Sequence, residues 1–142
     1  MKTSFPKPLS KPVWYVVDAQ DQILGRLSTR IATVLRGRHR PTFVPHWRSG
    51  DHVIVLNAEK IKVTGDKIEQ KTYFRHTGYL GHLRSTTLKN VMKKDPTKAL
   101  IHAVKGMLPK NLTREHVLKN LHVIVGPKHE HEAQKPVPFP LS

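Results

Sequence analysis

The stretch WYVVDAQDQILGRLSTRIATVL, from Trp14 to Leu35, joins a strand pattern to a helix pattern. Trp14–Asp18 is aromatic and β-branched and stops at a polar turn, which predicts a first strand. Apolar residues then recur at helical spacing, and Gly37 marks the expected C-terminal end of this helix. The helical stripe consists of Leu24, Leu27, Ile31, Val34 and Leu35.

Strand and helix patterns continue to alternate along the chain. Strands are predicted at His52–Asn57, which is a continuous apolar run, at Ile61–Thr64, at Lys71–His76 and at Leu121–Val125. Helices are predicted at residues 87–94, at 95–108 and at 114–120, the second with Asp95 as N-cap and Pro96 at its first position. This order predicts an α/β fold whose parallel sheet is covered by helices on both faces.

Proline divides the chain into three parts. Residues 1–12 contain three Pro, three Lys and no acidic residue, which predicts an extended basic arm. Residues 13–126 form the α/β domain, and residues 127–142 are predicted to be an irregular Pro-rich tail. We expect that neither the arm nor the tail packs on its own.

The strongest signal in the composition is positive charge. The 142 residues contain 25 Lys and Arg against 10 Asp and Glu, a formal net charge of +15. The excess is +7 in residues 1–50, +5 in 51–100 and +3 in 101–142, so the folded body itself is basic. Such a surface repels itself unless a polyanion supplies counter-charge, and nucleic acid is the expected polyanion.

Several classes of protein and site are disfavoured by what the sequence lacks. There is no Cys, which excludes disulfides and thiolate metal sites. No apolar run approaches the roughly 20 residues of a membrane span, and the N-terminus has no apolar core of a secretory signal. Neither a G-x-G-x-x-G turn nor a G-x-x-x-x-G-K-[ST] loop occurs, so no nucleotide cofactor and no nucleotide-dependent enzyme is expected.

Basic side chains fall into three clusters that could bind phosphate. The first is the run Arg36-Gly37-Arg38-His39-Arg40, and the second lies along the middle strands. The third flanks the corner Gly106–Pro109. A single charge run is usually a solvated face, but three clusters in one small basic domain favour nucleic-acid contact. The second and third clusters comprise Lys60, Lys62, Lys67, Lys71 and Arg75, and Lys105, Lys110 and Arg114.

Three other patterns have weaker functional interpretations. Gly78-Tyr79-Leu80-Gly81 matches the GXXG of an RNA-clamping loop, but it follows a strand, so a plain turn is favoured. His129-Glu130-His131-Glu132 lies in a Pro-rich tail without the H-E-x-x-H pattern, so imidazoles bonded to phosphate or backbone are favoured over a metal site. Tyr73, Phe74 and Tyr79 could stack on a base, although core packing is the commoner role.

An ordered series of motifs resembles the large-subunit ribosomal protein thirteen family, of the bacterial or organellar type. The series begins with Trp14–Ala19, Leu24–Leu27 and Leu35–Pro41, and its most distinctive run is Lys105-Gly106-Met107-Leu108-Pro109-Lys110. Between them lie Gly50–Ala58, Val63–Gly65, Lys71–Tyr73 and His76–Gly78, and the resemblance covers about residues 14–136. Departures occur at Asn111–Arg114, where the family usually has glycines, and at His129-Glu130-His131, where it has His-Pro-His.

The resemblance implies a three-layer α/β/α domain with a four-stranded, mainly parallel sheet. It implies binding to large-subunit rRNA and to neighbouring ribosomal proteins in a bacterial or organellar ribosome, a role in assembly, and no catalysis, cofactor, metal, membrane or small-molecule substrate. An RNA-binding regulator of translation that acts off the ribosome is the alternative.

The candidate RNA-binding residues are Arg26, Arg36, Arg38, His39, Arg40, Lys67, Lys71, Arg75, His76, Lys105, Lys110, Arg114, His129 and His131. Changing Arg36, Arg38 and Arg40 to Ala is expected to weaken RNA binding and leave the fold intact.

Overall fold

Six strands and five helices make up the described part of the chain in a computed structural model, which covers residues 12–48 and 50–139. The strands are β1 (Trp14–Asp18), β2 (His52–Leu56), β3 (Thr72–His76), β4 (Leu83–Thr87), β5 (Leu121–Val123) and β6 (Val137–Pro138). The helices are α1 (Leu24–Leu35), α2 (Lys67–Gln70), α3 (Leu88–Lys94), α4 (Pro96–Met107) and α5 (Thr113–Leu118). Two short 3₁₀ turns, Ala58–Lys60 and Glu132–Gln134, complete the elements. Apart from Pro12, the predicted arm lies outside these residues.

The main sheet has the strand order β5-β2-β1-β6, and every neighbouring pair in it is parallel. Trp14 is paired with His52, and Val53 with Leu121. The α/β class and the four-stranded parallel sheet are therefore confirmed. None of the helices in the described ranges is long and apolar enough to cross a membrane.

One face of this sheet is covered by α1 and α4. Leu27 and Ile31 of α1 and Leu100 and Val104 of α4 join Val53 of β2 in one buried cluster. Full burial of each such side chain stabilises the fold by about 1.5–3 kcal/mol. Helix α4 begins as predicted, with Pro96 in its first turn and the Asp95 carboxylate accepting a hydrogen bond of 3.2 Å from the Thr97 N–H.

The other face carries a stack of rings instead of a long helix. Trp14 lies parallel to His52 at a centroid distance of 4.0 Å, and His122 lies against both rings. His131, which leads into the turn Glu132–Gln134, packs against Trp14 and His122. The two long helices thus share one face of the sheet.

The tail supplies the fourth strand of the sheet, which the sequence does not predict. Val137 and Pro138 pair with Tyr15 and Val16, and the Phe139 N–H donates to the Val16 carbonyl at 2.9 Å. The Phe139 side chain is buried in the core cluster. A strand this short has no detectable period, and Pro138 is tolerated because it lies at the sheet edge.

The middle of the chain forms a separate antiparallel hairpin of β3 and β4. The predicted strand Lys71–His76 and the turn at Gly78–Gly81 are confirmed as β3 and the hairpin turn, in which both glycines have positive φ. The sequence does not predict strand β4, because LRSTT has no apolar alternation. The helix expected from residue 87 begins at Leu88. The predicted strand Ile61–Thr64 is limited to one bridge between Ile23 and Lys62.

Candidate nucleic-acid interface

The first basic cluster lies where α1 ends. Gly37 has a φ of 78°, and its N–H donates to the Val34 carbonyl at 2.8 Å, which closes the last turn. Arg36 is half-buried beside the Phe43 ring, with its guanidinium carbon 5.9 Å from the ring centroid. Arg38 is exposed. The helix end therefore presents these two cations from a fixed backbone.

Arg40 has a different environment from the rest of this cluster. Its Nε donates to Asp51 Oδ2 at 2.9 Å, and its Nη2 donates to Asp51 Oδ1 at 2.7 Å. Asp51 is fully buried and also accepts a hydrogen bond from the Val13 N–H at 3.0 Å. The ion pair thus links the loop after α1 to the starts of β1 and β2. Arg40 is a candidate RNA-binding residue in the sequence analysis, but Asp51 neutralises its charge within the fold.

His39 belongs to the same group of contacts. Its Nε2 lies 3.6 Å from Asp51 Oδ2 and 3.3 Å from the Tyr15 hydroxyl. Burial lowers the pKa of His39, Asp51 opposes that shift, and Arg40 adds to it. The imidazole is therefore mainly neutral at pH 7 and contributes hydrogen bonds rather than a positive charge.

Three arginines converge on a small cleft between the end of α1, the following loop and α5. This arginine cleft has a volume of about 40 Å³ and is lined by Arg36, Arg48 and Arg114, with the stacked rings of His46 and Trp47. The Nε of Arg114 is buried without a hydrogen-bond partner. No carboxylate lies among the described lining residues, so the cleft is suited to an anion.

A larger basic groove lies between the start of α1, the end of α4 and the segment that leads through α2. It has a volume of about 640 Å³ and contains three of the predicted cations, Arg26, Lys67 and Lys71. Lys71 Nζ is 5.6 Å from the centroid of Tyr73, whose ring meets the ring of His102 edge to face at 4.9 Å. Burial raises the pKa of Tyr73, so this phenol remains neutral.

The β3–β4 hairpin forms a third exposed basic surface. Arg75 is paired directly with Arg84 across the hairpin, and His76 Nδ1 accepts a hydrogen bond of 3.0 Å from the Gly78 N–H. Like charges opposite each other destabilise a hairpin unless an anion lies near them. Phe74 is 66% and Tyr79 is 75% exposed, so these two rings, unlike half-buried Tyr73, do not have the core role expected from the sequence.

The remaining predicted residues are dispersed. Lys105 is half-buried near the end of α4, and Lys110 is exposed beyond Pro109. His131 belongs to the ring stack on the sheet, and its N–H donates to His129 Nδ1 at 3.2 Å. In the described part of the chain, no group of three His, Cys, Asp or Glu side chains could hold a metal ion.

The ring stack also shifts proton affinity. His52 Nδ1 and His122 Nε2 are 3.3 Å apart. Burial lowers the pKa of both imidazoles, His131 lowers both further, and Asp51 partly opposes the shift at His52. His52 and His122 are therefore mainly neutral at pH 7 in the packed state of this face.

Sequence reasoning missed Arg48, Arg84 and His102. Arg48 is isolated in the loop after α1 and reaches the arginine cleft only through folding. Arg84 becomes the partner of Arg75 only when β4 is recognised. His102 is four residues from Gly106 on a helix, so its place at the groove wall follows from helical spacing once α4 is assigned.

Comparison with known proteins gives a consistent result. The sequence model of a family described as ribosomal protein L13 matches residues 12–130. The large ribosomal subunit protein uL13 of Lawsonia intracellularis is 54% identical over 142 residues, which covers 99% of each chain. The uL13 of Thermobifida fusca is 50% identical over 143 residues, covering 100% of this chain and 96% of the relative. That of Lachnospira eligens is 54% identical over 123 residues and 87% of each chain.

Proposed function

This chain belongs to the ribosomal protein L13 family, and we propose that it binds large-subunit rRNA through its basic loops and supports assembly of the large ribosomal subunit. The family role is structural and not enzymatic. The relatives named above are bacterial, and in bacteria the large subunit lies in the cytoplasm. Neighbouring large-subunit proteins complete the expected set of partners.

The arginine cleft carries this proposal. Arg36, Arg48 and Arg114 come from three different segments, and no carboxylate among the described lining residues neutralises them. The buried Nε of Arg114 still has an N–H to donate. A phosphate oxygen would satisfy that donor and offset the repulsion among the three guanidiniums.

The mechanism is charge neutralisation by a rigid domain. The ordered end of α1 fixes Arg36 and Arg38, and the parallel sheet holds the loops that carry them. When Lys and Arg replace the condensed counterions of RNA, cations are released to solution, which favours binding at low salt. The protein thereby allows RNA segments to approach one another.

Salt dependence of binding tests this mechanism. Affinity for large-subunit rRNA fragments is measured against salt concentration, and each phosphate contact is expected to contribute about −0.7 to −0.9 to the log–log slope. The variant Arg36→Ala/Arg38→Ala/Arg48→Ala should bind more weakly and with a flatter slope. Lys93→Ala/Lys94→Ala removes charge from exposed positions on α3 and serves as the control. A wild-type affinity that does not change with salt would reject the mechanism.

Sedimentation separates the ribosomal role from the alternative of a free regulator. A structural component should co-migrate with large subunits through a gradient after a moderate-salt wash. A regulator that binds messenger RNA would remain near the top of the gradient. The same experiment on the triple arginine variant tests whether these contacts hold the protein on the subunit.

A further inference from the structure

The basic groove combines a cationic rim with an apolar floor. Arg26, Lys67 and Lys71 contribute the charge, and its floor and walls include Ile23, Leu24, Val63, Ala103 and Met107. Its volume of about 640 Å³ falls within the range of about 300–1,000 Å³ that is usual for ligand pockets. A site that bound only the phosphates of a duplex would need the cations but not the apolar floor.

The charge of the groove is not neutralised by its described walls. No Asp or Glu is among its lining residues. Glu69, which lies between Lys67 and Lys71 in sequence, instead places Oε1 3.3 Å from Lys89 Nζ. The groove therefore complements an anion that also has an apolar, flat part.

Two helical glycines provide an independent argument. Gly25 in α1 and Gly106 in α4 both line the groove, and neither has a positive φ. A Cβ added at either position would meet no atom within 4 Å beyond its chain neighbours and the backbone of its own helix. Packing within the described chain therefore does not require glycine at these positions, although glycine weakens a helix relative to alanine. Close approach of a ligand to the backbone accounts for both.

We propose that this groove binds one unstacked nucleotide of RNA, with the base against the apolar floor and the helix backbone at Gly25 and Gly106, and the phosphate on the rim of Arg26, Lys67 and Lys71. The ring of His102 lines the groove and meets Tyr73 edge to face, so it offers a stacking surface at the rim. This inference rests on the proposed function and adds a single-stranded feature to the RNA that is recognised.

The experiment compares two fluorescently labelled probes, a uridylate hexamer and a fully paired RNA duplex, by anisotropy with the full chain. In Gly106→Leu and Gly25→Leu, a side chain is added to the groove from α4 and from α1, respectively. We expect each variant to keep the circular dichroism spectrum of the wild type and to have a thermal midpoint no lower than that of the wild type. Each should lose about tenfold in affinity for the hexamer and keep its affinity for the duplex. If Gly106→Leu does not fold, Gly25→Leu still tests the inference.

Charge removal gives the second part of the experiment. Lys67→Ala/Lys71→Ala should weaken hexamer binding by about tenfold, whereas the equally charged control Lys93→Ala/Lys94→Ala should change it by less than about threefold. A hexamer that contains 4-thiouridine should cross-link to the peptides that carry His102 and Met107.

Equal hexamer affinity of the wild type and the folded leucine variants would overturn the inference. If only the duplex bound, the groove proposal would fail while the proposed function stood; if neither bound in a salt-dependent manner, the proposed function would fail.

Discussion

Arg40 and Asp51 form a two-point ion pair, with donor–acceptor distances of 2.9 and 2.7 Å and with the carboxylate fully buried. Such a pair orients the loop after α1, because both oxygens of the carboxylate fix the plane of the guanidinium. The expectation that Arg36, Arg38 and Arg40 can all be changed to Ala without harm to the fold therefore needs revision at Arg40.

We expect Arg40→Ala to lower the free energy of unfolding by about 3–5 kcal/mol, because it removes the guanidinium that pairs with both oxygens of the buried Asp51 carboxylate. Urea denaturation followed by circular dichroism measures this change. Arg38→Ala is the matched control and should alter stability by less than about 0.5 kcal/mol, since Arg38 is exposed. A loss below about 0.5 kcal/mol in Arg40→Ala would contradict the structural role assigned to the pair.

Arg84→Thr should separate stability from RNA binding at the hairpin. It removes the like charge opposite Arg75 and introduces a residue that favours strands, so we expect stability to rise by about 0.2–1 kcal/mol. Affinity for rRNA fragments should fall, with a salt slope lower by about 0.7–0.9 for one lost contact. Ser85→Thr, at the neighbouring exposed position, is the control and should leave the slope unchanged. An unaltered slope in Arg84→Thr would remove the hairpin from the interface.

Acidification should destabilise the fold through the ring stack and through His39. The pKa values of His52, His122 and His39 are lowered in the folded state, so the unfolded chain binds protons more readily. Their contribution to stability is complete above the unfolded pKa of about 6.5 and is lost as the pH falls below it, through the folded pKa values. The lowered pKa of Asp18 and of Asp95 acts in the same direction, but only near the lower pH range of carboxylates.

Thermal melts at pH 7.5 and 5.5 measure this effect, and we expect a lower midpoint at pH 5.5. His122→Phe retains a flat ring beside His52 and Trp14 but cannot be protonated, so the difference between the two pH values should shrink. His116→Phe, at an exposed position on α5, is the control and should melt with the pH dependence of the wild type. A wild-type midpoint that is equal at both pH values would contradict the contribution of buried neutral imidazoles.

Phe139→Ala should show that the tail belongs to the folded domain. Phe139 is 6% exposed and packs in the core, so its truncation is expected to cost about 3–5 kcal/mol. Val137→Ala, on the same strand but exposed, should cost less than about 1 kcal/mol. If Phe139→Ala unfolds at the same urea concentration as the wild type, the tail does not contribute to stability.

The sequence was most informative where a long periodic pattern exists. Helices α1 and α4 and strands β1 and β2 follow from apolar spacing and from the Asp95-Pro96 start, because their periods persist over several residues. Strand β6 is two residues long and pairs with β1, which is distant in sequence, so no local pattern reveals it. Strand β4 pairs with the neighbouring β3 across a hairpin, but its polar residues show no apolar alternation. Helix α2 is also not predicted from the sequence, because its four residues are too few to show a helical period.

Candidate site residues show a similar limit. Sequence clustering indicates where cations are abundant, but it does not indicate which of them a carboxylate already neutralises. Arg40 lies within the densest cluster and is paired with Asp51, whereas isolated Arg48 reaches the arginine cleft. Charge composition therefore predicts the kind of partner, and folding decides which side chains remain available to it.

The position of β6 beside β1 has a consequence for biosynthesis. Strand β1 keeps one edge unpaired until residues 137–139 have been made and have left the ribosome. An open edge of this kind is a site of mispairing between nascent chains, and it closes only when β6 pairs with β1. Slow pairing of β6 would therefore prolong an aggregation-prone state.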